Sequence, residues 1–184
     1  MPTAPQPRLL DRFGRIGRDL RVSVTDRCNL RCTYCMPAEG LDWMAKPEML
    51  TDAELLRLIS VMVGLGIEQV RLTGGEPLLR RSLVDLVAGI AAIDPRPRIA
   101  MTTNGVGLER TAAALAAAGL DRVNISLDTT DPEHFRRLTR RDRIADVFAG
   151  LAAAADAGLT PVKVNAVAMR GVNDIDAPDL LQWC

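Results

Sequence analysis

The chain predicts an α/β fold: a partial βα barrel of parallel strands, truncated after about five. Three observations predict it. From Leu20 onward, short runs of β-branched and apolar residues alternate with stretches of helix length. Strands alternating with helices in this way make parallel βα units, and successive right-handed crossovers curl such a sheet toward a barrel. The strands that fit fall short of the eight that close a full barrel.

Each element has its own reason. Met1-Pro2-Thr3-Ala4-Pro5-Gln6-Pro7 reads as a flexible lead-in, so residues 1–12 are set apart from a barrel over 13–184. Leu20-Arg21-Val22-Ser23-Val24-Thr25 alternates as a strand does and ends in a cysteine-bearing loop. Thr51 with Glu54 three residues on is a capping box, opening a helix that runs to Gly64 and Gly66. A strand over 69–73 stops at Gly74-Gly75-Glu76-Pro77. Helix and strand then alternate: helix 82–93, strand 98–103 closed by Asn104-Gly105, helix 108–118, strand 122–127, helix 144–157, strand 162–168. A last helix begins near Ala177. The chain stops inside its amphipathic pattern, Leu180-Leu181-Gln182-Trp183, and the last strand would present a bare edge. Both features lead to the expectation of an N-terminal portion of a larger protein.

Composition narrows the class. Of 184 residues, 48% are hydrophobic and 25% charged, as in an ordinary globular domain. Lys plus Arg and Asp plus Glu both total 23, a balance that argues against a general nucleic-acid or membrane-surface binder. No apolar run has membrane-spanning length, and the start lacks the apolar core of a signal peptide. Three of four cysteines crowd into eight positions, unlike a disulfide framework, so a reducing cytoplasm is expected. The basic run Arg136, Arg137, Arg140, Arg141 and Arg143 is diluted by Asp131, Glu133 and Asp142 and reads as solvated surface; His134 reads as a surface residue at a helix start.

Chemistry concentrates in Arg27-Cys28-Asn29-Leu30-Arg31-Cys32-Thr33-Tyr34-Cys35-Met36-Pro37. The spacing C-x3-C-x2-C supplies three thiolates from one loop, whereas a [4Fe–4S] cube takes four ligands. One iron is left for something that reacts. Three other readings stand beside this one. A structural zinc knuckle wants four closed ligands, and His134 is remote. A redox pair of Cys32 and Cys35 leaves Cys28 unexplained, and a ferredoxin-like electron carrier lacks its fourth cysteine. Cys184 follows Trp183 on an apolar helix face and reads as a core residue or an accident of the truncation.

The loop resembles the signature of the radical S-adenosylmethionine (SAM) enzymes, C-x3-C-x-φ-C, with Tyr34 as the aromatic before the last cysteine. Gly74-Gly75-Glu76-Pro77 resembles that family's second mark, a turn expected to bring backbone groups and Glu76 near the methionyl amine of SAM. Residues 19–28, 70–77, 102–105, 124–128 and 162–165 together look like the GTP 3',8-cyclase family, from about Leu10 to the end of the chain.

The resemblance implies that Cys28, Cys32 and Cys35 hold a [4Fe–4S] cluster. It implies that Tyr34, Gly75 and Ser126 contact SAM, and that Arg21, Arg71, Thr102 and Lys163 contact GTP. No catalytic side chain is assigned beyond the cluster and SAM. The residues fit these roles: Arg21, Arg71 and Lys163 interrupt apolar strands, and an inward cation is costly unless an anion such as a triphosphate meets it.

The implied reaction is reductive cleavage of SAM to a 5'-deoxyadenosyl radical, which takes the C3' hydrogen of GTP and leads to C3'–C8 cyclisation in molybdenum cofactor biosynthesis. The implied partners are a one-electron donor of flavodoxin or ferredoxin type and a cyclic pyranopterin monophosphate synthase that receives the product. Neither nucleic acid nor membrane is implied, and a homodimer is compatible. In the family a second cluster and the guanine contacts lie in a C-terminal region, which these residues do not include. The rival readings are another radical SAM maturase and a non-catalytic iron–sulfur or zinc module.

Overall fold

The computed structural model describes residues 8–184. Its strands are β1 (Asp19–Ser23), β2 (Gln69–Thr73), β3 (Arg98–Thr103), β4 (Arg122–Ser126) and β5 (Lys163–Asn165). They form one sheet in sequence order, and every neighbouring pair is parallel. The connections carry α1 (Asp52–Gly64), α2 (Leu83–Ala91), α3 (Ala112–Ala117), and then α4 (Pro132–Thr139) with α5 (Ile144–Asp156); α6 (Ala177–Trp183) follows β5. Parallel neighbours in sequence order need a crossover at every step, which keeps the helices on one face. β1 and β5 remain as unjoined edges. The fold is the partial barrel that the alternation predicts.

Strand residues divide strictly by period two. Val70, Leu72, Ile99, Met101, Val123 and Ile125 are fully buried in one apolar cluster with Leu86 and Ile90 of α2, Leu115 of α3 and Val147 of α5. Truncating any of the large ones to alanine costs about 2–5 kcal/mol. The alternate residues share the opposite face, and the register lines them up in rows. Asp19, Gln69 and Arg98 form one row, and Arg21, Arg71, Ala100 and Arg122 the next. Above them Thr102, Asn124 and Lys163 are aligned, then Ser126 with Asn165. This face is polar apart from Ala100.

Several elements depart from the sequence expectation. The strand expected over 162–168 pairs only as Lys163–Asn165, because the chain then turns to Asp128: Val167 donates its N–H to Asp128 Oδ1 at 2.9 Å. The helix expected over 108–118 is split into a 3-10 turn, Leu108–Arg110, and α3, since Thr111 between them is extended in φ. An additional helix, α4, starts where Asp131 accepts the N–H of His134 at 2.7 Å and Pro132 fills the first position. His134 stands at this helix start, as expected, but is half-buried rather than a free surface residue: its side chain is 21% exposed, with Nδ1 2.7 Å from Asp176. Cys184 is exposed rather than in the core. Of the expected lead-in, residues 1–7 lie outside the described residues. Residues 8–12 enter a turn closed by the Leu10–Ile16 bridge, where Asp11 accepts the N–H groups of Phe13 and Arg15. Among the described residues no helix is long and apolar enough to cross a membrane.

Candidate active site

The loops and turns of the site follow strand ends, where ligands of parallel α/β sheets bind. The cysteine loop follows β1, the glycine turn β2, Asn104 β3 and Asp128 β4. In the loop the N–H groups of Cys35 and Met36 both donate to the Cys32 carbonyl, at 2.9 and 3.1 Å. Cys28 and Cys32 are half-buried against the core cluster, and Cys35 is exposed. Burial pushes the Cys32 thiol up to about 11 and raises Cys28 as well.

These observations test what the loop can hold. Among the described residues no three His, Cys, Asp or Glu side chains gather around one point as a single metal ion requires. Three thiols in one loop, with no fourth donor gathered beside them among the described residues, suit a group that presents separate irons. The donor set fits a [4Fe–4S] cluster with one iron free of protein ligands.

The glycine turn is locked onto the start of the loop. Gly75 donates its N–H to the Thr25 carbonyl and Glu76 to that of Arg27, both at 2.7 Å. A Cβ on Gly75 would run into the carbonyl oxygens of Arg27 and Asp26, so glycine is required there by close approach. Glu76 departs from the expectation that it faces the methionyl amine. It is 1% exposed, and its carboxylate accepts from Thr103 Oγ1 (2.6 Å), the Asn104 N–H (2.7 Å) and the Leu78 N–H (3.1 Å). Burial raises its pKa against the pull of these donors. Its role is to brace the turn from beneath.

Two residues that the sequence did not single out complete the frame. Asn104 donates from Nδ2 to Asn29 Oδ1 at 2.6 Å, with Cys28 Sγ at 3.9 Å. Asp128 accepts from the Tyr34 hydroxyl at 2.6 Å; burial first, and then this bond, push the phenol pKa up, and Asn173 donates to the Asp128 carbonyl. Asn104 and Asp128 stood within the matched segments, yet only contacts across 75 to 94 positions distinguish them.

The structure brings Arg21, Arg71, Thr102, Ser126 and Lys163 onto the one polar sheet face. Arg21 reaches Thr73 Oγ1 at 3.4 Å. Among the described residues none of Arg21, Arg71 and Lys163 forms an ion pair. Arg122 and Arg98 add to the same face, against the single carboxylate Asp19, so it carries excess positive charge although the chain as a whole is neutral. Tyr34 and Gly75 lie beside it at the strand ends.

Comparison with known proteins identifies the family. The model of the radical SAM superfamily matches residues 22–184. A GTP 3',8-cyclase of Streptomyces coelicolor is 66% identical over 95% of the chain and 52% of its own length. One from Mycobacterium sp. strain KMS is 62% identical over all of the chain and 52% of its own length. The chain thus spans about half the length of the curated relatives it matches. Among solved structures, Streptococcus suis SuiB bound to S-adenosylmethionine superimposes with a TM-score of 0.73 at 21% identity, over 91% of this chain and 38% of that one. Methylornithine synthase does so at 0.69 and 18%, over 92% and 51%. Those two likenesses bear on the fold alone. With three cysteines in one loop after β1, a glycine turn pinned to it and a family match across nearly all described residues, the chain belongs to the radical SAM superfamily.

Proposed function

We propose that this chain forms the SAM-binding and GTP-facing part of a GTP 3',8-cyclase, which opens molybdenum cofactor biosynthesis. The observation that carries the reading is the set of cations on one sheet face, Arg21 and Arg71 in one row and Lys163 in the next, toward the strand ends that carry the cysteine loop. The cyclase relatives at 62–66% identity support it. Cys28, Cys32 and Cys35 would hold the cluster. Tyr34, the Gly75 backbone and Ser126 are assigned to SAM, and Thr102 to GTP.

The cluster and SAM, when bound, would supply the one-electron chemistry of the C3'–C8 cyclisation. The chain's own residues bind and orient. Arg21 and Arg71 sit in the same row on adjacent strands, which run about 4.8 Å apart, so two planar forks can share one polyphosphate. Lys163, on β5, adds a compact charge from the far edge. A flavodoxin or ferredoxin type of donor, transfer of product to cyclic pyranopterin monophosphate synthase, a second cluster in the full-length protein and a cytoplasmic location belong to the same proposal.

The test has two parts. Anaerobic reconstitution should load about one [4Fe–4S] cluster per chain; tightly held zinc without iron would sink the cluster assignment. The chain should bind GTP more tightly than guanosine, and Arg71→Ala should remove roughly tenfold or more of that preference, the worth of a charge-assisted hydrogen bond. Unchanged discrimination in Arg71→Ala would remove the phosphate role.

A further inference from the structure

The cysteine loop is held on its outer side by the end of α4. Arg31 and Thr33 donate their N–H groups to the carbonyls of Thr139 and Leu138, at 2.9 and 2.8 Å. The next residue, Arg140, is the one non-glycine with positive φ among the described residues, at φ 54° and ψ 27°. A left-handed residue just past a helix end is ordinarily glycine, because a Cβ is strained there. What an arginine adds is its side chain, and that side chain turns back onto the loop. Its Nη1 donates to the Arg31 carbonyl at 3.0 Å and to the Met36 carbonyl at 3.3 Å. Arg31 immediately precedes Cys32 and Met36 immediately follows Cys35. One guanidinium nitrogen therefore joins the two carbonyls that flank the C-x2-C segment.

We infer that Arg140 is a positioning residue: it staples the C-x2-C segment closed from outside, fixing Cys32 and Cys35 relative to one another, and places a permanent positive charge beside the cluster they hold. The strained backbone is offset by these contacts. The same charge acts on the cluster itself, since a cation nearby favours the more negative, reduced state and raises the reduction potential. The inference rests on the radical SAM reading of the loop only for the cluster; the staple is a property of the polypeptide alone.

Arg140→Gly separates the side chain from the backbone, because glycine suits the left-handed conformation. In the cluster-free chain, hydrogen exchange of the amides over 31–36 should quicken about tenfold with no fall in unfolding temperature. After reconstitution, iron should pass to a chelator several-fold faster, and the midpoint potential should drop. Arg140→Lys keeps the charge without a planar fork: it should show the faster iron loss yet retain most of the potential. Unchanged exchange over 31–36 in Arg140→Gly overturns the staple. A lowered unfolding temperature with exchange quickened evenly across the chain also overturns it, because the residue would then serve only general stability. If the parent chain loads no iron–sulfur cluster, the cluster assignment fails while the exchange measurement still judges the staple.

Discussion

At the scale of single residues, the site divides into side chains that face a ligand and side chains that brace those that do. Glu76 belongs to the second kind. Its three partners, Thr103, Asn104 and Leu78, all donate to it. Glu76→Gln keeps the shape but turns one acceptor into a donor, leaving a buried N–H unpaired at a cost of about 1–3 kcal/mol. Chemical denaturation should register that loss, and a variant as stable as the parent would contradict the bracing role. Gly75→Ala should act differently. A methyl driven into the Arg27 carbonyl displaces the start of the cysteine loop, so iron content after reconstitution should fall while the far helices keep their stability. Intact iron binding in that variant would show the turn and loop to be independent. The place of Arg21, Arg71 and Lys163 was legible because period-two alternation puts them opposite the apolar face; their assignment to GTP rests on the resemblance. The roles of Asn104 and Asp128 were not legible, since polar residues after strands are ordinary until a partner 75 or more positions away is known.

At the scale of elements, strands and long helices follow from local pattern, and the misjudged pieces are those set by distant partners. β5 is short because Asp128 draws residue 167 off the ladder, and no local signal in Val162–Ala168 announces this. The pair His134–Asp176 likewise ties α4 to the turn that precedes α6. Burial pushes the Asp176 carboxyl up, but hydrogen bonds from His134 and Thr129 and the charges of His134 and Arg137 outweigh it, so its pKa lies below the ordinary value. A depressed carboxylate stabilises the fold above its unfolded pKa of about 3.9, and that contribution is lost as pH falls through the lower folded value. Docking of α6 should therefore weaken below about pH 4, and Asp176→Asn should weaken it already at neutral pH while flattening the acid dependence. Trp183, packed on Phe148 with ring centroids 5.3 Å apart, reports this by its fluorescence once Trp43 is replaced by Phe. An acid transition of the same depth in Asp176→Asn would assign it elsewhere.

At the scale of the whole molecule, five parallel strands in sequence order make a fold whose frame is local and whose site is not. Each βα step packs mainly on its neighbours, which is why the architecture could be read from alternation. The cysteine loop, by contrast, is shaped by Gly75, Asn104, Asp128 and the end of α4, the last of these 109 positions downstream of Arg31. That separation sets an order of events on the ribosome. Chains emerge N-terminus first, so the three thiols reach the cell well before the residues that will hold them in register. Through that interval they are unframed nucleophiles, open to oxidation or to a wrong metal. A framed loop therefore has to wait for residue 140, 109 positions after Arg31, so the thiols meet their frame only late in the synthesis of these residues.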